Sequence, residues 1–207
     1  MKKTNDIKIR IVVINMNEFR KTYSKDYLDG IRKCLDDMEP FFYEKMDKIA
    51  GVILTARDNT KTIFTMGNGG SGATASHLVG DLAKGAIKPN HPRIRAIALT
   101  DNMPQILAWA NDTSYENIFM EQLKNLMNPE DVVIGISGSG NSQNVIKAME
   151  YADEHGAVTI GLTGYDGGKL KDVAQECIIV PSNNMQQIED VHFIIGHLLM
   201  SLLRDEG

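Results

Sequence analysis

The chain has 207 residues, of which 43% are hydrophobic and 24% charged, and its formal net charge is −5. This composition is ordinary for a soluble globular protein, and the acidic balance argues against general binding of nucleic acid. No stretch approaches the roughly 18 apolar residues of a membrane span, so we expect neither nucleic acid nor a membrane as a partner. The two cysteines, Cys34 and Cys177, have no metal-ligand spacing and predict a reducing, cytoplasmic location.

The N-terminal part of the chain is the hardest to interpret. Weak alternation over residues 7–14 fits either an extra strand or part of a separate head. We therefore divide the chain into a head at 1–24 and a single domain at 25–207. Residues 25–57 are predicted to form one or two amphipathic helices, since Pro40 can interrupt a helix.

Five apolar runs rich in β-branched residues recur along the domain and alternate with helical patterns. Runs of this kind are typical of strands buried on both faces of a parallel sheet, and the alternation predicts a three-layer α/β fold with an N-terminal helical extension. The predicted strands lie at 62–66, 94–100, 132–136, 158–163 and 177–180. The predicted helices lie near 72–84, 103–110, 115–126, 143–155 and 185–203, and Ser71 and either Asn141 or Ser142 are expected to cap the first and fourth of them.

Two glycine- and serine-rich turns each follow a strand and open a helix. Backbone N–H groups at such a turn favour an anion, and serine hydroxyls add donors that suit phosphate oxygens. The sequence therefore predicts a site for a phosphorylated small molecule. Neither turn has the Gly-x-Gly-x-x-Gly spacing of a dinucleotide site. The candidate binding residues are Asn68, Gly69 and Ser71 in the first turn, and Ser137, Gly138, Ser139, Asn141 and Ser142 in the second.

Acidic and imidazole side chains on two predicted helices can approach this site. His77 and Asp81 are four residues apart and share one helix face. Glu189 and His197 are eight residues apart, about two turns, so both can face one cleft. Asp101 follows the second predicted strand, where it either caps a helix or contacts the substrate.

Four motifs occur in order: Gly67–Ser71 with His77, Ile136–Ser142, Thr163–Lys169, and Ile188–His192 followed by His197. Together they resemble the phosphoheptose isomerases, a family of the sugar-isomerase (SIS) fold, and the resemblance covers roughly residues 25–204. It implies a homotetramer that interconverts sedoheptulose 7-phosphate and D-glycero-D-manno-heptose 7-phosphate, with one Zn²⁺ per subunit.

The resemblance also implies individual roles. Asp81 matches the catalytic acidic position and His197 the catalytic histidine, and both belong with His77 and Glu189 to the implied zinc ligands. Two residues depart from the family pattern, in which position 81 is usually glutamate and position 189 usually glutamine. The carboxylate of Glu189 could strengthen metal binding or itself serve as the catalytic base.

Other SIS-fold activities remain open at this point. The first alternative is a non-catalytic regulator or adaptor that binds a sugar phosphate. The others are an arabinose-5-phosphate isomerase, which normally carries extra C-terminal domains, and an amino-sugar phosphate isomerase, which normally has two SIS domains in tandem.

Overall fold

The computed structural model describes the backbone of residues 2–206 and the side chains of residues 16–206. Its centre is a parallel sheet of five strands in the order β2-β1-β3-β4-β5. The five predicted strands are confirmed, with shifts of a few residues at their ends. The strands are β1 Thr62–Gly67, β2 Arg95–Ala98, β3 Val132–Ser137, β4 Val158–Gly164 and β5 Glu176–Val180.

Helices cover both faces of the sheet. The second helix continues directly into a π-helical turn, and a short 3-10 turn precedes the fourth. The helices are α1 Lys2–Asp58, α2 Gly69–Gly80 with its π-helical turn Asp81–Gly85, α3 Met103–Asp112, the 3-10 turn Tyr115–Asn117 with α4 Met120–Leu126, α5 Gln143–Glu154, α6 Leu170–Val173 and α7 Met185–Asp205. None of the described helices combines the length and apolarity needed to cross a membrane.

The first helix is a single element of 57 residues. A strand at 7–14 is wrong, because the backbone there is helical. Pro40 lies inside the helix without ending it, so of the two arrangements predicted for residues 25–57 the structure has the single helix. The helix also passes the expected boundary between residues 24 and 25, and the division into head and domain stays a prediction.

Two apolar cores confirm the three-layer architecture. Neighbouring strand residues point to opposite faces, so that Ile63 packs with α1, α2 and α7, whereas Phe64 packs with α4, α5 and α6. All six residues of β1 and all six of β3 are buried. Burial on both faces explains why these strands are mostly apolar and carry no charged residue.

The strand order reverses between β1 and β3. The chain proceeds from β1 outward to β2, and then returns to place β3 on the other side of β1. At such a switch point the loops at the carboxyl ends of the two strands diverge and leave a crevice, which is where open α/β sheets bind ligands. The loops after β1 and β3 are the two glycine- and serine-rich turns.

The helix starts at these loops differ in part from the predicted ones. Asn68, and not Ser71, is the N-cap residue of α2. The positive φ of Gly69 (53°) turns the chain tightly enough for the helix to begin at once, which leaves Ser71 in its first turn. Ser142 is the N-cap residue of α5, as one of the two predicted alternatives had it.

Candidate active site

The two polar loops face each other across the switch point and enclose a depression of about 280 Å³. Seven of the eight predicted loop residues line it, and Gly70 and two residues of α7 complete the wall. The lining residues are Asn68, Gly69, Gly70, Ser71, Ser137, Gly138, Ser139, Ser142, Met185 and Glu189. The exception is Asn141, whose part in substrate binding stays a prediction.

The serine loop is held by its own hydrogen bonds. Ser137 Oγ and Ser142 Oγ are 3.0 Å apart, so the two hydroxyls close the turn. The Asn141 backbone N–H donates to Ser139 Oγ at 3.2 Å, while Asn141 Oδ1 accepts from the Lys169 backbone N–H at 3.2 Å. The Asn141 side chain therefore braces the loop against the turn that follows β4. Because one of the Ser137 and Ser142 hydroxyls donates to the other, the three serines keep two hydroxyl hydrogens that an anion at the depression can accept.

On the opposite loop, the Asn68 amide is held by two residues that are not among the predicted site residues. Asn68 and Asn144 exchange a pair of amide hydrogen bonds, both 2.9 Å long. The Tyr115 hydroxyl donates to Asn68 Oδ1, also at 2.9 Å. The sequence does place Asn144 just after the serine loop, in the first turn of α5, but it does not pair Asn144 with Asn68.

Glu189 lies at this depression and not with the other predicted metal ligands. Its carboxylate occupies the space above Gly70, where any side chain would overlap it. The first turn of α7 is fixed against α1, since the Gln187 side chain donates to the Tyr27 carbonyl at 3.1 Å and the Tyr27 hydroxyl donates to Asp190 at 2.5 Å. The bond to Asp190 raises the pKa of Tyr27 to about 12.

The other three predicted ligands do come together. His77, Asp81 and His197 place one ligand atom each within 4.8 Å of the others. Asp81 Oδ2 is 3.4 Å from His77 Nε2 and 3.8 Å from His197 Nε2, and the two nitrogens are 2.9 Å apart. The imidazoles are about half exposed, whereas the carboxyl group is mostly buried.

The environment of Asp81 Oδ2 indicates that the three residues can bind a cation. Asp81 Oδ2 is buried and has no hydrogen-bond partner in the described structure, which is costly for a carboxylate oxygen. A divalent cation held between that oxygen and the two Nε2 atoms would satisfy it, and nitrogen with oxygen donors suits zinc. The π-helical turn begins at Asp81, and such turns are frequent at functional sites.

Asp101 lies at a second depression on the far side of the Asn68 loop. This depression has a volume of about 520 Å³ and also borders Asn68, Gly69 and Tyr115. Asp101 is exposed, and its Oδ1 accepts at 3.5 Å from the Thr100 hydroxyl. It does not cap α3, because the Asn102 side chain fills that role by accepting from the Gln105 N–H. Contact with the substrate stays a prediction.

His192 belongs to the core. Its Nε2 donates to the Thr163 carbonyl at 3.1 Å, and its Nδ1 is buried without a partner in the described structure. Burial lowers the pKa of the imidazole to about 4. His192 is therefore neutral at physiological pH, and its hydrogen bond ties α7 to β4.

Comparison with known proteins identifies first the class and then the family. The family described as "SIS domain" matches residues 26–164. The chain is 42% identical over 152 residues to a phosphoheptose isomerase of Nitratiruptor sp., which covers 73% of this chain and 81% of that protein. It is 43% identical over 169 residues to the phosphoheptose isomerase of Geotalea daltonii, with coverages of 80% and 88%.

A solved structure agrees with these relatives. Phosphoheptose isomerase GmhA from Neisseria gonorrhoeae superimposes with a TM-score of 0.81 at 29% identity, over 89% of this chain and 98% of that one. The chain therefore belongs to the phosphoheptose isomerase family of SIS-domain proteins.

Proposed function

We propose that this protein is an aldose–ketose isomerase that converts sedoheptulose 7-phosphate to D-glycero-D-manno-heptose 7-phosphate through an enediol or enediolate. Membership of the phosphoheptose isomerase family supports the activity. The observation that carries it is the pair of polar loops at the switch point, where a phosphate can be bound at one end of the substrate.

The serine loop binds the phosphate in this proposal. Ser137, Ser139 and Ser142 supply three hydroxyls, and the first turn of α5 adds the positive end of a helix dipole. Binding energy from this remote group orients the reacting carbons and lowers the entropic part of the barrier. Asn68, Ser71 and Asp101 contact the sugar hydroxyls or the carbonyl group.

Asp81 and His197 carry out the proton transfers. A base removes the proton at C1 of the ketose, the enediolate forms, and a proton returns at C2 to give the aldose. The Asp81 carboxylate acts as the base, and the His197 imidazole exchanges protons with the sugar oxygens when its Nε2 does not hold a cation. Glu189 lies at the phosphate depression and would have to turn towards these groups to act as a second base. Asp81 Oδ2 is 3.8 Å from His197 Nε2, so the two groups lie in one small region.

We also propose that His77, Asp81 and His197 bind Zn²⁺, one per subunit. Glu189, the candidate fourth ligand, lies at the phosphate depression and would have to turn towards these three residues to join them. Asp81 Oδ2, which accepts no hydrogen bond in the described structure, and the two neighbouring imidazoles support the site. When bound, zinc would supply Lewis-acid polarisation of the sugar carbonyl oxygen.

Self-association as a homotetramer is part of the same proposal. Large apolar side chains are exposed along α1 and on one side of α7, and exposed surface of this kind favours burial against another subunit. They are Met16, Phe19, Tyr23, Leu28, Leu35, Phe41, Tyr43, Ile194 and Leu198. We place the protein in the cytoplasm, since Cys34 and Cys177 are both buried free thiols. Light scattering on the purified protein measures the assembly.

The activity is tested by NMR of sedoheptulose 7-phosphate with the protein in heavy water. Isomerisation incorporates deuterium at C2 of the aldose, because the proton returns from an exchangeable group. A His197→Ala variant that keeps the wild-type oligomeric state is the control and is expected to lose incorporation. A wild-type sample that binds the sugar phosphate but leaves both carbons undeuterated would refute the isomerase and favour a sugar-phosphate-binding regulator or adaptor.

A further inference from the structure

Asn144 is a buried polar side chain whose amide oxygen and nitrogen are both hydrogen-bonded next to the proposed substrate. It lies in the first turn of α5 and is 2% exposed. Its Oδ1 accepts from the Val145 backbone N–H at 3.0 Å and from Asn68 Nδ2 at 2.9 Å. Its Nδ2 donates to Asn68 Oδ1 at 2.9 Å. Asn68, in turn, lines both depressions.

These bonds determine which way each amide points. A backbone N–H can only donate, so the Asn144 atom facing the Val145 N–H must be the oxygen. The other atom of that amide is therefore NH₂, and the atom of Asn68 that it meets must be an oxygen. The orientation of the Asn68 amide thus follows from a backbone group and does not depend on the ligand.

The Tyr115 hydroxyl fills the remaining acceptor position of Asn68. With donors from Asn144 and Tyr115, both lone pairs of Asn68 Oδ1 are occupied. One hydrogen of Asn68 Nδ2 is given to Asn144. Only the second hydrogen of Asn68 Nδ2 is left without one of these partners. The Asn68 side chain can therefore bind a ligand only as a hydrogen-bond donor.

We propose that Asn144 and Tyr115 are positioning residues that present Asn68 to the substrate as an obligatory hydrogen-bond donor, matched to the carbonyl oxygen that becomes the enediolate oxygen. A sugar hydroxyl can donate or accept and needs no such fixing, whereas a carbonyl or enediolate oxygen only accepts. A donor held in place before the charge develops stabilises the transition state without reorganisation. The inference rests on the proposed isomerase function.

The test uses the full-length protein with the isosteric Asn144→Asp variant. The new carboxylate still accepts from Val145 and Asn68 but has no N–H for Asn68 Oδ1, and oxygen–oxygen repulsion displaces the Asn68 amide. We expect kcat to fall about tenfold or more, the range of one misplaced transition-state donor. The ratio of the Kd for sedoheptulose 7-phosphate to that for its alditol, sedoheptitol 7-phosphate, should rise several-fold, since the alditol hydroxyl can donate to a displaced Asn68. The Kd for inorganic phosphate should stay within about twofold.

Two further variants keep the result interpretable. Tyr115→Phe removes one donor from a residue that is 56% exposed, so it is expected to fold, and it should shift kcat and the Kd ratio in the same direction by a smaller factor. Asn117→Asp, in the same 3-10 turn and bonded to Lys147 at 3.4 Å, adds the same charge without touching Asn68 and should leave both quantities unchanged.

Two results would overturn the inference: folded Asn144→Asp and Tyr115→Phe proteins with kcat within twofold of wild type, or an equal loss of affinity for both sugar phosphates and for inorganic phosphate. If Asn144→Asp does not fold, Tyr115→Phe decides alone. If the isomerase proposal is wrong, the wild-type protein itself shows no turnover. In that case the ratio of the two Kd values still tests the orientation of Asn68.

Discussion

The serine loop depends on a glycine whose replacement can be assessed from the geometry. Gly140 has a positive φ of 66°, between Ser139 and Asn141. A Cβ atom at this position would lie 2.6 Å from the Gly167 carbonyl carbon, closer still to its oxygen, and 2.7 Å from Thr163 Oγ1. The obstacle is mainly backbone, which cannot rotate away. We therefore predict that Gly140→Ala destabilises the protein and disturbs phosphate binding together.

A second glycine with a positive φ allows the conformational cost of alanine to be separated from the cost of steric overlap. Placing alanine in the left-handed region costs about 1–2 kcal/mol, and overpacking against a rigid neighbour adds about 1–3 kcal/mol, so Gly140→Ala should cost about 2–5 kcal/mol. Gly156 also has a positive φ, 81°, but a Cβ atom there would come no closer than 3.6 Å, to Pro129. Gly156→Ala should therefore cost only the conformational part.

The assay is urea unfolding of both variants at one fixed protein concentration, followed by titration with inorganic phosphate. We expect Gly140→Ala to be the less stable variant by about 1–3 kcal/mol, and to bind phosphate more weakly, while Gly156→Ala binds it as the wild type does. Equal stabilities, or unchanged phosphate affinity in a folded Gly140→Ala protein, would refute the account of the loop.

Three further predictions concern the site and the core. The double variant Ser137→Ala, Ser139→Ala should weaken sugar-phosphate binding by about 1–3 kcal/mol through lost charge-assisted hydrogen bonds, and an unchanged affinity by calorimetry would remove these serines from the phosphate site. Asp81→Asn should lower zinc content, measured by elemental analysis, and reduce kcat/KM about a hundredfold, and retention of both would contradict its assignment. Burial holds the pKa of His192 at about 4 against an ordinary 6.5, so the unfolded chain takes up its proton first and the free energy of unfolding should fall between about pH 6.5 and 4, by up to about 3 kcal/mol. His192→Gln should flatten that fall, and an identical pH profile would show that other groups cause it.

The sequence was sufficient for the sheet and for the polar loops because each depends on local pattern. The runs that form β1 and β3 are mostly apolar and carry no charged residue, as expected of strands covered on both faces. The turns after them were recognisable from glycine and serine at the place where a helix follows. The end of the chain's first helix was also close to the prediction, at Asp58 instead of residue 57.

Features that depend on long-range contacts could not be found in this way. Asn144 and Asn68 are 76 residues apart in sequence, and neither residue type signals the other. Residue type alone predicts Ser71 as a helix cap, yet the backbone of Gly69 starts the helix earlier. Proline at position 40 suggested a break, but burial of Met38 and Met46 on either side keeps α1 continuous against the core.

The departure at position 81 from the usual glutamate has a geometric answer. An aspartate is shorter by one methylene, so the question is whether its carboxylate still reaches the imidazoles. Asp81 Oδ2 lies 3.4 Å from His77 Nε2 and 3.8 Å from His197 Nε2, so the shorter side chain remains close enough to share a cation or a proton with both.

The second departure, Glu189, puts its added charge above Gly70 at the phosphate end. There it would repel a bound phosphate, unless the carboxylate turns away on binding. Glu189→Gln, the usual family residue, should therefore bind inorganic phosphate more tightly than the wild type, and weaker binding would indicate that Glu189 supports the site in another way.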